Sequence, residues 1–372
     1  MASRILFICG SLEPGRDGVG DYVRQLSMKL LHMGHTVTAI ALNDRHIEEE
    51  KNETQDGGSM LFKVLRLPAV AGLKQNAITA HKYIIGFAPQ FVSLQFVPYS
   101  FNKKGLPFTL VHILRMLIQQ TQLHIMFHEL WMDNPKGLKQ KIVTVIQKYL
   151  ICQLIKNAKP VKIHVSVDFN RQRLQNQGFK SEILNLFGNI PQEFALATSA
   201  RDTMKGLPTL LYFGSAIGGE LLEQIIKGLI TFCEHHPAGV KVLVASGTSQ
   251  AKNIFIDNLE SRLSRCNITI VDCGFLSTDA VSRLMNESTV GISKISARLL
   301  GKSGSSIAML EHGLPLWMPL WDGKEQLDLG FREELIYADL SDAAAVPQKQ
   351  KYKSLLPVVA AQFVQDLFEI RA

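Results

Sequence analysis

The sequence predicts an α/β protein of two doubly wound, Rossmann-like domains, and three observations predict it. Short apolar, often β-branched runs alternate with longer segments of helical period, the rhythm of a parallel sheet with crossover helices. The rhythm breaks at a polar, irregular segment from about Gly188 to Gly206 and then restarts. A chain of 372 residues is also too long for one ordinary core and suits two.

In the first half, strands are expected at Ile5–Cys9, Thr36–Leu42, Phe62–Leu67, Phe91–Phe96, His124–Phe127 and Lys162–Val165. A helix beginning near Gly20 carries Val19, Val23, Leu26, Leu30 and Met33 on one stripe and stops at Gly34-His35. In the second half, strands are expected at Thr209–Phe213, Lys241–Ala245, Ile268–Val271, Val290–Ile292 and Leu314–Met318. These elements predict domains over residues 1–190 and 207–350, with a C-terminal helix in 351–372 returning to the first. Ligands of such sheets bind outside the carboxyl ends of strands, which places the expected site in a cleft faced by both domains.

Composition excludes several classes. The five cysteines are odd in number and mostly sit in apolar runs, so they read as buried free thiols of a reducing cytoplasm, not as a disulfide framework or zinc site. MASRILFICG has too short an apolar core for a signal peptide and reads as a first strand. No run reaches the roughly 18 apolar residues of a spanning helix. A net charge of +7 favours an anionic partner: a phosphorylated ligand, an acidic membrane surface or nucleic acid. Nucleic acid is the weakest of these, since basic residues are dispersed and no motif for it is present.

Three loops can carry chemistry. In GSLEPGRDGVGDYVRQL, Gly18 and Gly20 stand ahead of a helix, either cradling a phosphate or merely making the turn. His128-Glu129 follows the strand ending at Phe127, where the pair can hydrogen-bond hydroxyls and histidine can share a proton near neutral pH. His124 lies four residues earlier on a strand, without H-E-x-x-H, so zinc is not indicated and His124 reads as structural. In SARLLGKSGSSIAMLEHGLP, Gly301-Lys302-Ser303 looks like the end of a Walker A loop. Ser296 stands where that motif needs glycine, and too little chain follows for an NTPase core. Lys302, Ser303, Gly304, Ser305 and Ser306 ahead of the apolar helix Ile307–His312 can still hold a diphosphate, or the serines can simply cap the helix.

Taken in order, G-R-D-G-V-G-D-Y-V-R-Q-L with G-H-T-V, then His128-Glu129, then S-G-S-S-I-A-M-L-E-H-G-L-P resemble the family 4 glycosyltransferases of the GT-B fold. Leu94-Gln95-Phe96-Val97-Pro98-Tyr99 and Gly188-Asn189-Ile190-Pro191 support the likeness, which covers nearly the whole chain. The resemblance implies a retaining transferase with no cofactor or essential metal. A nucleotide-diphosphate sugar would be co-substrate on the C-terminal domain, and a glycan, lipid-linked or small-molecule acceptor would sit on the N-terminal one. By position, Gly18, Gly20, Gly214, Ser215 and Lys302 to Ser306 would meet the donor, and His128 the sugar. The family's E-x7-E carboxylates fall on Leu300 and Ala308, and basic residues are missing after Thr209–Phe213. Glu311 is the nearest carboxylate to take the ribose contact, or else a surface or capping partner. The missing carboxylates motivate a second reading, a non-catalytic GT-B protein that binds a nucleotide sugar or a protein partner. A sugar-nucleotide epimerase is less favoured, because its acid/base carboxylates are not identifiable. A peripheral membrane contact is permitted by the basic charge and the apolar stretch Leu106–Leu117, for which core packing is the better expectation.

Overall fold

The computed structural model describes residues 2–56, 61–118, 121–192, 206–215, 217–247, 249–346 and 350–369. Most of the polar segment expected to separate the domains, residues 193–205, lies outside these. The chain divides into two compact units, residues 1–185 with 356–372, and residues 186–355.

The first unit is built on strands β1 (Arg4–Cys9), β2 (Thr36–Asp44), β3 (Lys51–Asp56), β4 (Leu61–Pro68), β5 (Phe91–Phe96), β6 (Gln122–Phe127), β7 (Lys162–Val165) and β8 (Glu182–Ile183). Their order is β3-β4-β2-β1-β5-β6-β7-β8, parallel except for the antiparallel β3–β4 pair. Its helices are α1 (Gly18–His32), α2 (Leu73–Phe87), α3 (Pro98–Phe101), α4 (Phe108–Ile118), α5 (Gly137–Ala158) and α6 (Asp168–Gln175).

Strand alternation sorts the two faces of this sheet. Leu6, Ile8, Val92, Leu94, Ile125 and Phe127 share one apolar core with α2, α4 and α5. Core packing therefore claims Leu110, Ile113 and Leu117 of the stretch once open to a membrane role. Phe7, His124 and His164 have the opposite parity and meet a helix over Leu356–Phe368, which also packs on α1.

The second unit has strands β9 (Thr209–Phe213), β10 (Val240–Ala245), β11 (Ile268–Gly274), β12 (Val290–Ile292), β13 (Leu316–Trp317) and β14 (Ile336–Tyr337) in the parallel order β11-β10-β9-β12-β13-β14. Helices α7 (Glu220–Glu234), α8 (Gln250–Arg262), α9 (Thr278–Glu287), α10 (Gly304–Glu311) and α11 (Leu340–Ala344) complete it. Its core gathers Tyr212, Phe232, Phe255 and Trp317. The chain then supplies α12 (Leu356–Phe368) to the first unit. All five cysteines are unpaired, and no helix of the described residues is long and apolar enough to cross a membrane.

Each sheet has one topological switch point, between β1 and β5 in the first unit and between β9 and β12 in the second. Loops leaving the two strands on either side of such a point diverge and leave a crevice, so the functional side chains are sought there.

Candidate functional site

In the second unit, Gly214-Ser215 leaves β9 and Lys294 leaves β12, so the two segments flank the switch point. The Lys294 ammonium donates to Ser215 Oγ at 3.0 Å. Gly214 has φ 130°, a conformation that residues with side chains rarely adopt, and a Cβ there would lie 2.5 Å from Lys294 Nζ, so a larger residue would strain the backbone and displace the ammonium. Burial lowers the Lys294 pKa below that of a solvated lysine. Sequence reasoning found no basic residue after Thr209–Phe213. The charge arrives instead from the neighbouring strand.

The start of α10 adjoins the same place, because Ser293, next to Lys294, has its hydroxyl 3.3 Å from Ser306 Oγ. Ser303 is the N-cap: its hydroxyl accepts from the Ser306 amide at 3.3 Å and donates to Ser306 Oγ at 2.9 Å. Ser303 and Ser306 are both buried, so their hydroxyls tie the helix to β12. Gly304 and Ser305 are half-buried and occupy the first two helical positions, where an amide has no acceptor within the helix. Lys302 ends a 3-10 turn, Ala297–Lys302, and is half-buried beside them. Leu300 and Ala308, at the two carboxylate positions of the resemblance, are packed into the core.

Glu311 corrects the sequence reading. It is fully buried, not a surface group, and its Oε1 accepts from the Leu355 amide at 2.7 Å, just ahead of α12. Burial pushes its pKa up to about 7, against the pull of the Leu355 and Gly188 amides. A carboxyl raised from 4.5 when folded stabilises the fold below pH 4.5 relative to alkaline pH, and this contribution is lost as pH rises through about 7. Replacing Glu311 with glutamine, which keeps the acceptor, should remove up to about 3 kcal/mol of pH-dependent stability. Thermal melts from pH 5 to 8 should show the wild type falling relative to Glu311→Gln; parallel curves would mean the carboxyl does not titrate there.

In the first unit, α1 begins where the sequence places glycines, but the amides are already engaged. Asp17 is the N-cap and accepts from the Gly20 amide at 2.8 Å. A Cβ on Gly20 would lie 2.5 Å from the Ser11 carbonyl oxygen, so glycine here answers the close approach of the β1–α1 loop. Gly18 is exposed at the first helical position. A carboxylate thus occupies this helix start, and turn-making accounts for Gly20. Arg66, missed in the sequence, pins the loop from below: it bonds Glu13, Asp44 at 2.8 Å and Glu53 at 3.2 Å. Burial pushes the Asp44 pKa up, but Arg66 and the His46 and Leu12 amides outweigh it and hold the group below the usual range.

His128 lies just beyond β6, 7% exposed, with its ring edge-on to Tyr22 of α1 at 5.0 Å. Burial pushes its pKa down to about 3, so it is neutral at neutral pH and does not share a proton there, contrary to the sequence expectation. Its Nε2 lies 2.8 Å from Gln95 Oε1, while Gln95 Nε2 donates to Ser93 Oγ at 2.7 Å. Since the Gln95 amide oxygen must accept, His128 carries its proton on Nε2 and keeps a lone pair on Nδ1. The line of buried groups continues from Ser93 to His124 Nδ1 at 2.8 Å and from His124 Nε2 to His164 Nδ1 at 3.0 Å. His164 Nε2 ends it, 3.0 Å from Asp366 Oδ2 of α12 but off a hydrogen-bonding line. Glu182 places a third ligand-type atom within 4.8 Å of these two, and its Oε2 takes the Lys162 ammonium at 2.9 Å. Glu129, beside His128, is half-buried.

No protein-family model matches the chain, and no curated protein sequence does. Solved structures do match it. The chain is similar to α,α-trehalose 6-phosphate synthase from Burkholderia multivorans, with TM-score 0.57, 12% identity, and coverage of 100% of this chain and 95% of that one. It is similar to UDP-GlcNAc 2-epimerase from Methanocaldococcus jannaschii, with TM-score 0.54, 10% identity, and coverage of 99% and 100%. The fold is GT-B. A third GT-B neighbour is HepE from Anabaena, in complex with UDP and glucose, with TM-score 0.52, 11% identity, and coverage of 99% and 92%.

Proposed function

We propose that the chain is a GT-B glycosyltransferase of the family 4 type, moving a sugar with retention from a nucleoside-diphosphate donor to a glycan, lipid-linked or small-molecule acceptor. One observation carries this reading: Lys294, Gly214-Ser215 and the first turn of α10 converge at the switch point of the second unit. An ammonium, a hydroxyl and unsatisfied amides suit a diphosphate leaving group, whose growing charge they stabilise without a metal or cofactor. Lys302 adds a second positive charge. The first unit takes the acceptor, with neutral His128 presenting its Nδ1 lone pair to a hydroxyl and Glu129 beside it. The Gly20 amide, held by Asp17, is not part of this donor site.

A non-catalytic binder is the second reading, favoured by the burial of Leu300 and Ala308 where transferring relatives would carry carboxylates. The test begins with thermal melts against nucleoside diphosphates. UDP comes first, since it is the nucleotide bound to HepE. A bound diphosphate should raise the melting temperature with occupancy. Donor consumption is then measured with candidate acceptors for wild type and His128→Ala. Transfer lost in the variant supports the proposal, and binding without turnover supports the second reading. Inversion at C2 of the sugar without acceptor would replace both with an epimerase. No stabilisation by any diphosphate defeats all three.

A further inference from the structure

Three neighbouring helices on one face of the first unit's sheet, α2, α4 and α5, contain no Asp or Glu, although the chain has 33 acidic residues; α6, whose Leu174 joins the same core, carries Asp168, which is paired with Arg171. Two kinds of side chain stand out among the exposed residues of α2, α4 and α5. On α5, Leu138, Ile142, Val145 and Tyr149 are 76%, 52%, 67% and 59% exposed. The spacing of four, three and four makes them one continuous stripe. No residue from Gly137 to Val145 is buried, so the first half of α5 stands clear of the core that its second half joins through Leu150, Ile151, Leu154 and Ile155. Ile85 of α2 and Phe108 of α4 extend the apolar exposure, at 62% and 48%. The exposed charges between them are positive: Lys139 and Lys141 on α5, Lys74 and Lys82 on α2, and Arg115 on α4.

We infer that this face docks on an anionic lipid surface. An apolar stripe flanked by lysines is the pattern of a helix lying in the plane of a bilayer interface: the stripe enters the acyl boundary while lysine stems snorkel and their ammonium groups meet headgroup phosphates. The absence of any carboxylate from three adjacent helices removes the repulsion that an anionic surface would otherwise meet. Around Lys141, Ile142, Val145 and Ile146 the surface is shallow and open, so the apolar stripe and a lysine are presented together. The inference stands apart from sugar transfer, since vesicle binding is read with no donor present.

The test is co-sedimentation of the full chain with phosphatidylcholine vesicles, with and without phosphatidylglycerol. Wild type is expected to partition onto the phosphatidylglycerol vesicles at low salt and to release as salt screens the charges. Ile142→Gln with Val145→Gln, and separately Lys139→Glu with Lys141→Glu, should each reduce partition by about tenfold or more. All four positions are exposed, so melting temperatures should hold; if one pair lowers them, Leu138→Gln replaces it. Ile254→Gln, an exposed apolar site of the second unit, should change nothing. No partition onto phosphatidylglycerol vesicles, or equal partition by wild type and variants, overturns the inference. So does a monomer–dimer equilibrium abolished by Ile142→Gln in a chain that ignores lipid, which would assign the face to a second copy.

Discussion

Lys294→Ala is expected to weaken nucleoside diphosphate binding by about 10- to 100-fold, the loss of roughly 1.5–3 kcal/mol that a charge-assisted hydrogen bond commonly supplies. Isothermal titration calorimetry would read it. The reason is local: Lys294 comes from β12, reaches across the switch point to Ser215, and fills the space that Gly214 leaves by having no side chain. A partly desolvated ammonium gains more from an incoming diphosphate than a solvated one does. Burial also lowers its pKa, so its charge is lost at a lower pH than that of a surface lysine, and affinity should fail on the alkaline side first. Unchanged binding by Lys294→Ala, alongside weakened binding by Lys302→Ala, would move the diphosphate to the 3-10 turn before α10 and remove the main support for the proposed donor site.

Phe363→Ala should cost the first unit about 3–5 kcal/mol, the range for deleting a fully buried aromatic side chain. Phe363 is 0% exposed, with its ring centroid 5.7 Å from that of Phe7 on β1 and 5.2 Å from that of His124 on β6. Val359, Ala360 and Leu367 complete the buried stripe of α12. Polar anchors stand beside it: Gln362 donates to the Ile183 carbonyl at 2.9 Å, and Asp366 meets His164. Denaturant unfolding followed by a first-unit reporter such as Trp131 should show the loss. A change confined to a second-unit reporter such as Trp317 would contradict the assignment of α12.

Much of the fold was legible because buried parallel strands are apolar and β-rich. Phe91–Phe96, Lys162–Val165, Thr209–Phe213 and Val290–Ile292 fall where the runs place them. β3, K-N-E-T-Q-D, was not legible: it is an edge strand paired on one side, so nothing demands an apolar alternation. β8 and β14 are two residues long and carry no period at all. At the candidate site, Ser303 showed its capping character in the spacing to Ser306, since an N-cap needs only local chain. Lys294 could not be read, because its meaning depends on β12 lying against β9 across some eighty residues. The buried polar line had a visible sign. Ser93 and Gln95 alternate within F-V-S-L-Q-F, a polar period of two where a fully apolar run was expected, and His124 interrupts the apolar run of the neighbouring strand. What the sequence did not reveal was its far end at Asp366, beyond the whole second unit.

That far end sets an order of biosynthesis. The second unit is contiguous in the chain and complete once residue 355 has left the ribosome, whereas the first, though translated earlier, lacks α12 until residues 356–368 emerge. Until then, Phe7 and His124 await a partner that the nascent chain does not yet contain. The half made first is therefore expected to be finished last, and during that interval it is the half in need of chaperone protection.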